Sequence, residues 1–105
     1  MAVANSTDDN VSVFINDGDG TFADQSTYDT GSYPRSVTSA DFNKDGYPDM
    51  AVANYTDDNV SVFINDGDGT FAVKADYPAG DGARSVTSAD FNNDGHPDMA
   101  VSNHN

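Results

Sequence analysis

The chain has 105 residues, enough for one domain, with a formal net charge of -14 carried by 18 acidic residues that are all Asp. A negative charge of this size disfavours nucleic acid and anionic membrane as partners and favours cations. Glu, Leu, Trp and Cys are absent, so strong helix formers are scarce and no disulfide holds the fold. No apolar run is long enough for a membrane span, so no membrane insertion is expected, and no signal peptide is recognised in the chain.

Residues 1–49 recur as 50–98 with 37 identical positions, and MAVSNHN at 99–105 opens a third copy. The domain is thus one segment, 1–105, made of repeat one (1–49), repeat two (50–98) and a partial third repeat (99–105). Differences gather in 24–34 against 73–83. Within a unit, SVTSADF (36–42) reads as a strand, followed by an acidic loop and the strand DMAVAN (49–54). TDDN (56–59) is a turn, as is Asp8-Asp9 in the first copy, and NVSVFIN (59–65) is the most apolar strand. NDGDG (65–69) carries the Asp-Gly signal of a hairpin leading into TFAVKADY (70–77). This turn and its copy from Asn16 have the composition of a second cation site, but hairpin chemistry accounts for them without one.

Alternation sends Val60, Val62 and Ile64 to one face of their strand and Phe63 to the other, so both faces of the sheet need cover. The fold class is all-β: two four-stranded antiparallel β-propeller blades per chain. The small residues of SVTSA suit the innermost strand, where blades converge. In chain order the strands run second-third-fourth, one whole blade, then first-second, with 85–91 as the terminal first strand. That permutation predicts a homo-oligomer whose ring closes by head-to-tail contacts. With about four to eight blades in a propeller, a trimer of six blades is the first choice and a tetramer of eight the next.

The loop DFNKDGYPD (41–49) returns as DFNNDGHPD (90–98). Asp41, Asn43, Asp45 and Asp49 stand at positions one, three, five and nine, with Gly46 at six and the carbonyl of Tyr47 at seven. Alternate groups of a curled loop point inward, and glycine permits the bend. With a bidentate Asp49 the set offers six hard oxygens, and one water completes a Ca2+ shell. The second loop offers the same from Asp90, Asn92, Asp94, the His96 carbonyl and Asp98. Thiolates are absent and imidazole does not recur, which disfavours zinc and copper, while Mg2+ demands stricter octahedral geometry. Crowded carboxylates become favourable once a dication sits among them.

SADFNKDGYPDMAVANYTDDNVSVFINDGDGTF resembles the FG-GAP repeat, also called the VCBS repeat, over essentially the whole chain. The resemblance implies a propeller blade with calcium between its first and second strands, held by the residues just named. It also implies an extracellular or cell-surface setting, with cell adhesion or lectin-like glycan binding as the role. Relatives usually carry about seven repeats where this chain has two.

Arg35 and Arg84 precede the inner strand in both copies; the preferred reading is a clamp on an Asp of a neighbouring blade, the other a ligand contact on the rim. His96 and His104 face Tyr47 and Ser6 in the first copy, which excludes a repeated catalytic histidine. No nucleophile has a recognisable base, so no enzymatic activity is expected. Tyr33, Tyr47, Tyr55 and the 78–84 loop offer contacts to a glycan or protein ligand. The competing reading is a designed or excised self-assembling scaffold with no ligand beyond calcium.

Overall fold

The computed structural model describes every residue except Ile15, Asn16, Asp17, Asp19, Asp68, Gly69, Val73 and Asn105. Its described residues form nine strands and no helix. Strands β1 (Ala2–Asn5), β2 (Asn10–Val13) and β3 (Ser26–Asp29) make a three-stranded sheet. Strands β4 (Pro34–Ala40), β5 (Asp49–Asn54), β6 (Asn59–Phe63) and β7 (Ala75–Pro78) make the four-stranded middle sheet, and β8 (Ala83–Ala89) pairs with β9 (Asp98–Asn103). All pairings are antiparallel between chain neighbours. Three, four and two strands is the order expected of a repeat cut between its first and second strands.

The middle sheet is buried on both sides. Met50, Val52 and Phe63 pack against Val11 and Val13 of the first sheet, whereas Ala51, Ala53, Val60 and Val62 pack against Ala83 and Val86 of the last. Every residue of β5 is buried. Alternation along β5 and β6 dictates this division: neighbours in sequence point to opposite faces, and each face meets another copy of the repeat. Burying a Val or Phe side chain contributes roughly 1.5–3 kcal/mol, so the two interfaces hold the three sheets together. The inner strands β4 and β8 come close enough for the Val86 N–H to donate to Ser36 Oγ (3.4 Å). Small Ser and Thr side chains permit that approach.

Polar groups along the sheets are answered in the same way in each copy. Asn54 Nδ2 donates to Asn59 Oδ1 (2.7 Å) and Ser61 Oγ (2.8 Å), and Asn5 Nδ2 does so to Asn10 Oδ1 and Ser12 Oγ. Asn54 is fully buried beneath Gly31, where an added Cβ would lie 2.9 Å from the amide carbon. Only glycine allows the incoming loop to cross that amide.

Strand boundaries depart from the sequence reading at three points. The inner strand begins at Pro34 and ends at Ala40, and the third strand ends at Phe63. The fourth begins at Ala75, not at residue 70. Between Phe71, which bridges Asn65, and Ala75, which pairs with Val62, the fourth strand carries one more residue than its partner. Of the NDGDG turns, Asn16, Asp17, Asp19, Asp68 and Gly69 lie outside the described residues.

Candidate metal centre

Each acidic loop joins the two inner strands of its sheet, β4 to β5 and β8 to β9. Asp41 folds the first loop around its own carboxylate: Oδ1 accepts the Asp45 N–H (3.1 Å) and Oδ2 the Gly46 N–H (2.8 Å). Asp45 Oδ1 in turn accepts the Tyr47 N–H (3.0 Å). The bend is sharp because Lys44 and Gly46 both take positive φ, 63° and 90°. Glycine adopts that conformation without penalty, whereas a lysine needs the loop to hold it there.

The second loop repeats the geometry. Asp90 accepts from Asp94 and Gly95 at 3.1 and 2.8 Å, and Asp94 Oδ1 accepts from the His96 N–H at 2.9 Å. One carboxylate oxygen each from Asp90, Asp94 and Asp98 lies within 4.8 Å of the others. For Asp94, the His96 N–H is the leading cause of a lowered pKa, which partial desolvation opposes. Asp41 is also lowered: desolvation pushes it up, but the Gly46, Asp45 and Lys44 amides together outweigh it. Both aspartates therefore favour the ionised form that a metal ligand requires.

The ninth-position aspartates close the loops. Asp49 is fully buried, and its Oδ2 accepts the Phe42 N–H (3.0 Å) while its Oδ1 accepts the Asn65 N–H (2.8 Å). Asp98 accepts the equivalent Phe91 N–H (3.0 Å). Asn65 is a positioning residue that the sequence reading passed over. Besides holding Asp49, it donates from Nδ2 to the Pro48 carbonyl (3.0 Å) and accepts the Gly67 N–H at Oδ1 (2.7 Å). The start of the NDGDG turn is thus fastened to the acidic loop across the sheet end. The only signal in the sequence was that the two motifs recur at fixed spacing.

Tyr47 and His96 are both exposed, Tyr47 by 48 % with its ring against Gly67. The sequence reading has each offer the site its carbonyl. Asn43 and Asn92 occupy the exposed third positions, and an Asn92 hydrogen bond contributes to lowering Asp94. The loops are neighbours: Lys44 Nζ of the first donates to the Gly95 carbonyl of the second (2.6 Å).

The chemistry of the donor set fits a hard dication. In the second loop only oxygens converge, whereas among the described residues Asp41, Asp45 and Asp49 of the first form no comparable group; each carboxylate oxygen that accepts one amide proton retains a lone pair for a metal. Asp41, Asn43, Asp45, Asp49 and the Tyr47 carbonyl would hold one ion, and Asp90, Asn92, Asp94, Asp98 and the His96 carbonyl another.

Two other readings from sequence change in the structure. The TDDN segments do more than turn the chain: Asp9 and Asp58, both at positive φ, receive the chain that enters the next sheet. Asp9 accepts the Thr30 N–H at its carbonyl and the Tyr33 N–H at Oδ1, and Asp58 accepts Ala79 and Gly82 in the same way. Among the described residues Arg35 clamps no aspartate; its guanidinium lies over the rings of Tyr33 and Tyr55, 5.6 and 5.5 Å from their centroids.

A pair of acidic loops, each between the inner strands of stacked antiparallel sheets, defines an all-β repeat protein with a candidate cation site in each repeat. The model of the FG-GAP-like repeat matches residues 1–52 and again 41–101, and the chain belongs to that family. No curated protein and no solved structure gives a match.

Proposed function

We propose that the chain is a calcium-binding segment of a β-propeller that works by binding rather than by catalysis. The observation that carries this reading is the repeated amide cage of Asp41 and Asp90, which in the second loop accompanies three converging carboxylates. Calcium would fasten the loop between inner strands and so hold the ends of adjacent sheets in place. FG-GAP-like repeats suggest a propeller-like module typical of extracellular or surface proteins, and ligand or glycan binding in that setting is the natural role we assign. Among the described residues no helix is long and apolar enough to cross a membrane. Calorimetry tests the reading: calcium should bind at about two ions per chain and raise Tm, and Asp45→Ala with Asp94→Ala should abolish the heat. Absence of heat in the wild type at millimolar calcium overturns it.

A second reading, self-assembly, is favoured by the faces left open at the two ends of the stack. Met1 and Val3 on the outer face of the first sheet are 62 % and 42 % exposed. What covers such a face within the chain is another repeat, so copies of the chain would stack head to tail. Six blades from three chains is the closure we favour, with eight from four the alternative. As a scaffold, designed or excised, it would need no ligand beyond calcium. Light scattering that returns a monomer with and without calcium excludes this reading and leaves the calcium reading standing.

A further inference from the structure

The edge of the middle sheet opposite the acidic loop carries an arrangement that calcium does not explain. Arg35 falls where the β4–β5 register shifts between Pro34 and Ser36. A bulge of this kind re-aims a side chain out of the alternating pattern. The ladder resumes beyond it, with the Tyr55 N–H donating to the Tyr33 carbonyl (2.9 Å). Tyr33 itself is held at φ 57° by the bond from its N–H to Asp9 Oδ1 (2.8 Å). The two rings stand 6.1 Å apart at 61° to one another, and the guanidinium lies over both. Contacts at this distance are attractive and fix the orientation of the cation.

The donors of Arg35 are nevertheless unspent. Among the described residues the guanidinium has no ion pair and no hydrogen-bond acceptor, although the chain carries 18 aspartates. Aspartates of the adjoining turns accept backbone donors instead: Asp9 the Tyr33 N–H, Asp57 the Ser32 N–H (2.8 Å) and Asp58 the Gly82 N–H (2.7 Å). Arg35 is exposed, and Tyr33 beside it is 42 % exposed. A planar fork of donors held on an aromatic platform, open to solvent, matches a carboxylate approaching edge-on. Repulsion from distant aspartates is screened beyond about 8 Å at physiological ionic strength.

We propose that Tyr33, Arg35 and Tyr55 form a binding site for a small carboxylate ligand, with Arg35 pairing the carboxylate and the Tyr33 ring supporting the apolar part attached to it. The second repeat supplies an internal control. Arg84 sits at the same register shift, but the positions of the two rings are taken by Gly82 and His104. Arg84 lacks the platform.

The test is an amide-shift titration of the calcium-treated chain with glucuronate, acetate and glucose. Glucuronate should saturate shifts at Tyr33, Arg35 and Tyr55 with a Kd on the order of 1 mM. Acetate, without a face to rest on Tyr33, should bind about tenfold more weakly, and glucose should leave these amides unmoved. Arg35→Gln should remove saturation, Arg35→Lys should weaken it about tenfold because the fork is lost, and Arg84→Gln should change nothing. Dispersion of the remaining amides reports whether each variant is folded, and Arg35→Lys serves if Arg35→Gln is not. Glucose shifts equal to those of glucuronate, unchanged binding in the folded Arg35 variants, or no wild-type response at tens of millimolar glucuronate (roughly tenfold above the expected Kd) would each overturn the site. Shifts confined to 41–49 and 90–98 would also overturn it, since they place the carboxylate on the cation loops, and they leave the calcium reading intact.

Discussion

The strand MAVAN at 1–5 and its copy at 50–54 have one sequence and two fates. Met1 and Val3 are 62 % and 42 % exposed, whereas Met50 and Val52 are 3 % and 0 %. The third copy fails on the opposite face: Met99 and Val101 are partly buried against the middle sheet, while Ala100 is exposed where Ala51 is fully buried. Each end sheet lacks the neighbour that would cover one of its faces. Burial in this molecule is therefore a property of position in the stack, not of the strand, as expected when each repeat contacts only the next. The two acidic loops differ for the same reason, since only the first has a third strand in its own sheet to supply an Asn65.

The comparison breaks most sharply at the paired alanines. Ala51→Asp places an unpaired charge between two sheets and should cost about 3–5 kcal/mol, a large fraction of the 5–15 kcal/mol that holds a typical domain together. Ala100→Asp, on the open face, should change stability by no more than about 0.5 kcal/mol. Urea denaturation of both variants checks this, and equal losses would mean that the last sheet is covered in solution. Next in size are the ninth-position aspartates in calcium-free buffer. Asp49→Ala strands the Phe42 and Asn65 amides and should cost about 2–3 kcal/mol, while Asp98→Ala strands only the Phe91 amide in a more open setting and should cost about 1 kcal/mol or less. The same denaturation series separates them.

The features that recur in the sequence were the ones that could be read from it. Alternation in NVSVFI assigned Val60, Val62 and Phe63 to their faces because period two leaves no other choice. The nine-residue spacing placed Asp41, Asn43, Asp45, Asp49 and the second-loop equivalents on bends between inner strands. What escaped were contacts between segments distant in the chain. Asn65 reaching Asp49 spans 16 residues, and Asp9 receiving Tyr33 spans 24. Turn composition announces Asp and Asn but says nothing of which amide each will meet. Arg35 misled for a related reason: charge complementarity suggested an aspartate, but the register shift directs the side chain to two rings. The late start of β7 followed from an extra residue that propensity cannot register.

Smaller effects sharpen the comparison where the copies differ in sequence. Asp76 stands where the first repeat has Thr27, and it accepts from Ser61 Oγ (2.8 Å) and pairs with Lys74 (2.6 Å). Desolvation pushes its pKa up, yet the Lys74 and Ser61 bonds outweigh it and the net shift is downward from 3.8. A carboxylate with a depressed folded pKa stabilises the protein above the unfolded value and loses that contribution as pH falls through the folded one. The Tm gap between wild type and Asp76→Ala should thus be constant above about pH 5 and close below 3.8. Because the side chain of Asp76 is 40 % exposed, its worth is under about 1 kcal/mol after screening.

The smallest change tests whether the two loops feel one another. Lys44 is one of two positions at which the first loop departs from the second, which has Asn93 in its place, and its ammonium spans the gap to the Gly95 carbonyl at 2.6 Å. The bond is exposed, so Lys44→Asn should alter stability by no more than about 0.5 kcal/mol. Its charge is another matter. An ammonium poised between two anionic loops opposes an incoming dication at both, and at a distance within the Debye length that opposition is only partly screened. Removing it should raise calcium affinity about threefold at 0.01 M ionic strength and less at 0.15 M. Calorimetric titrations at the two salt concentrations read the difference directly. A salt-independent change would trace the effect to the Gly95 carbonyl and the shape of the second loop, making Lys44 a brace between neighbouring repeats and not a counter-charge.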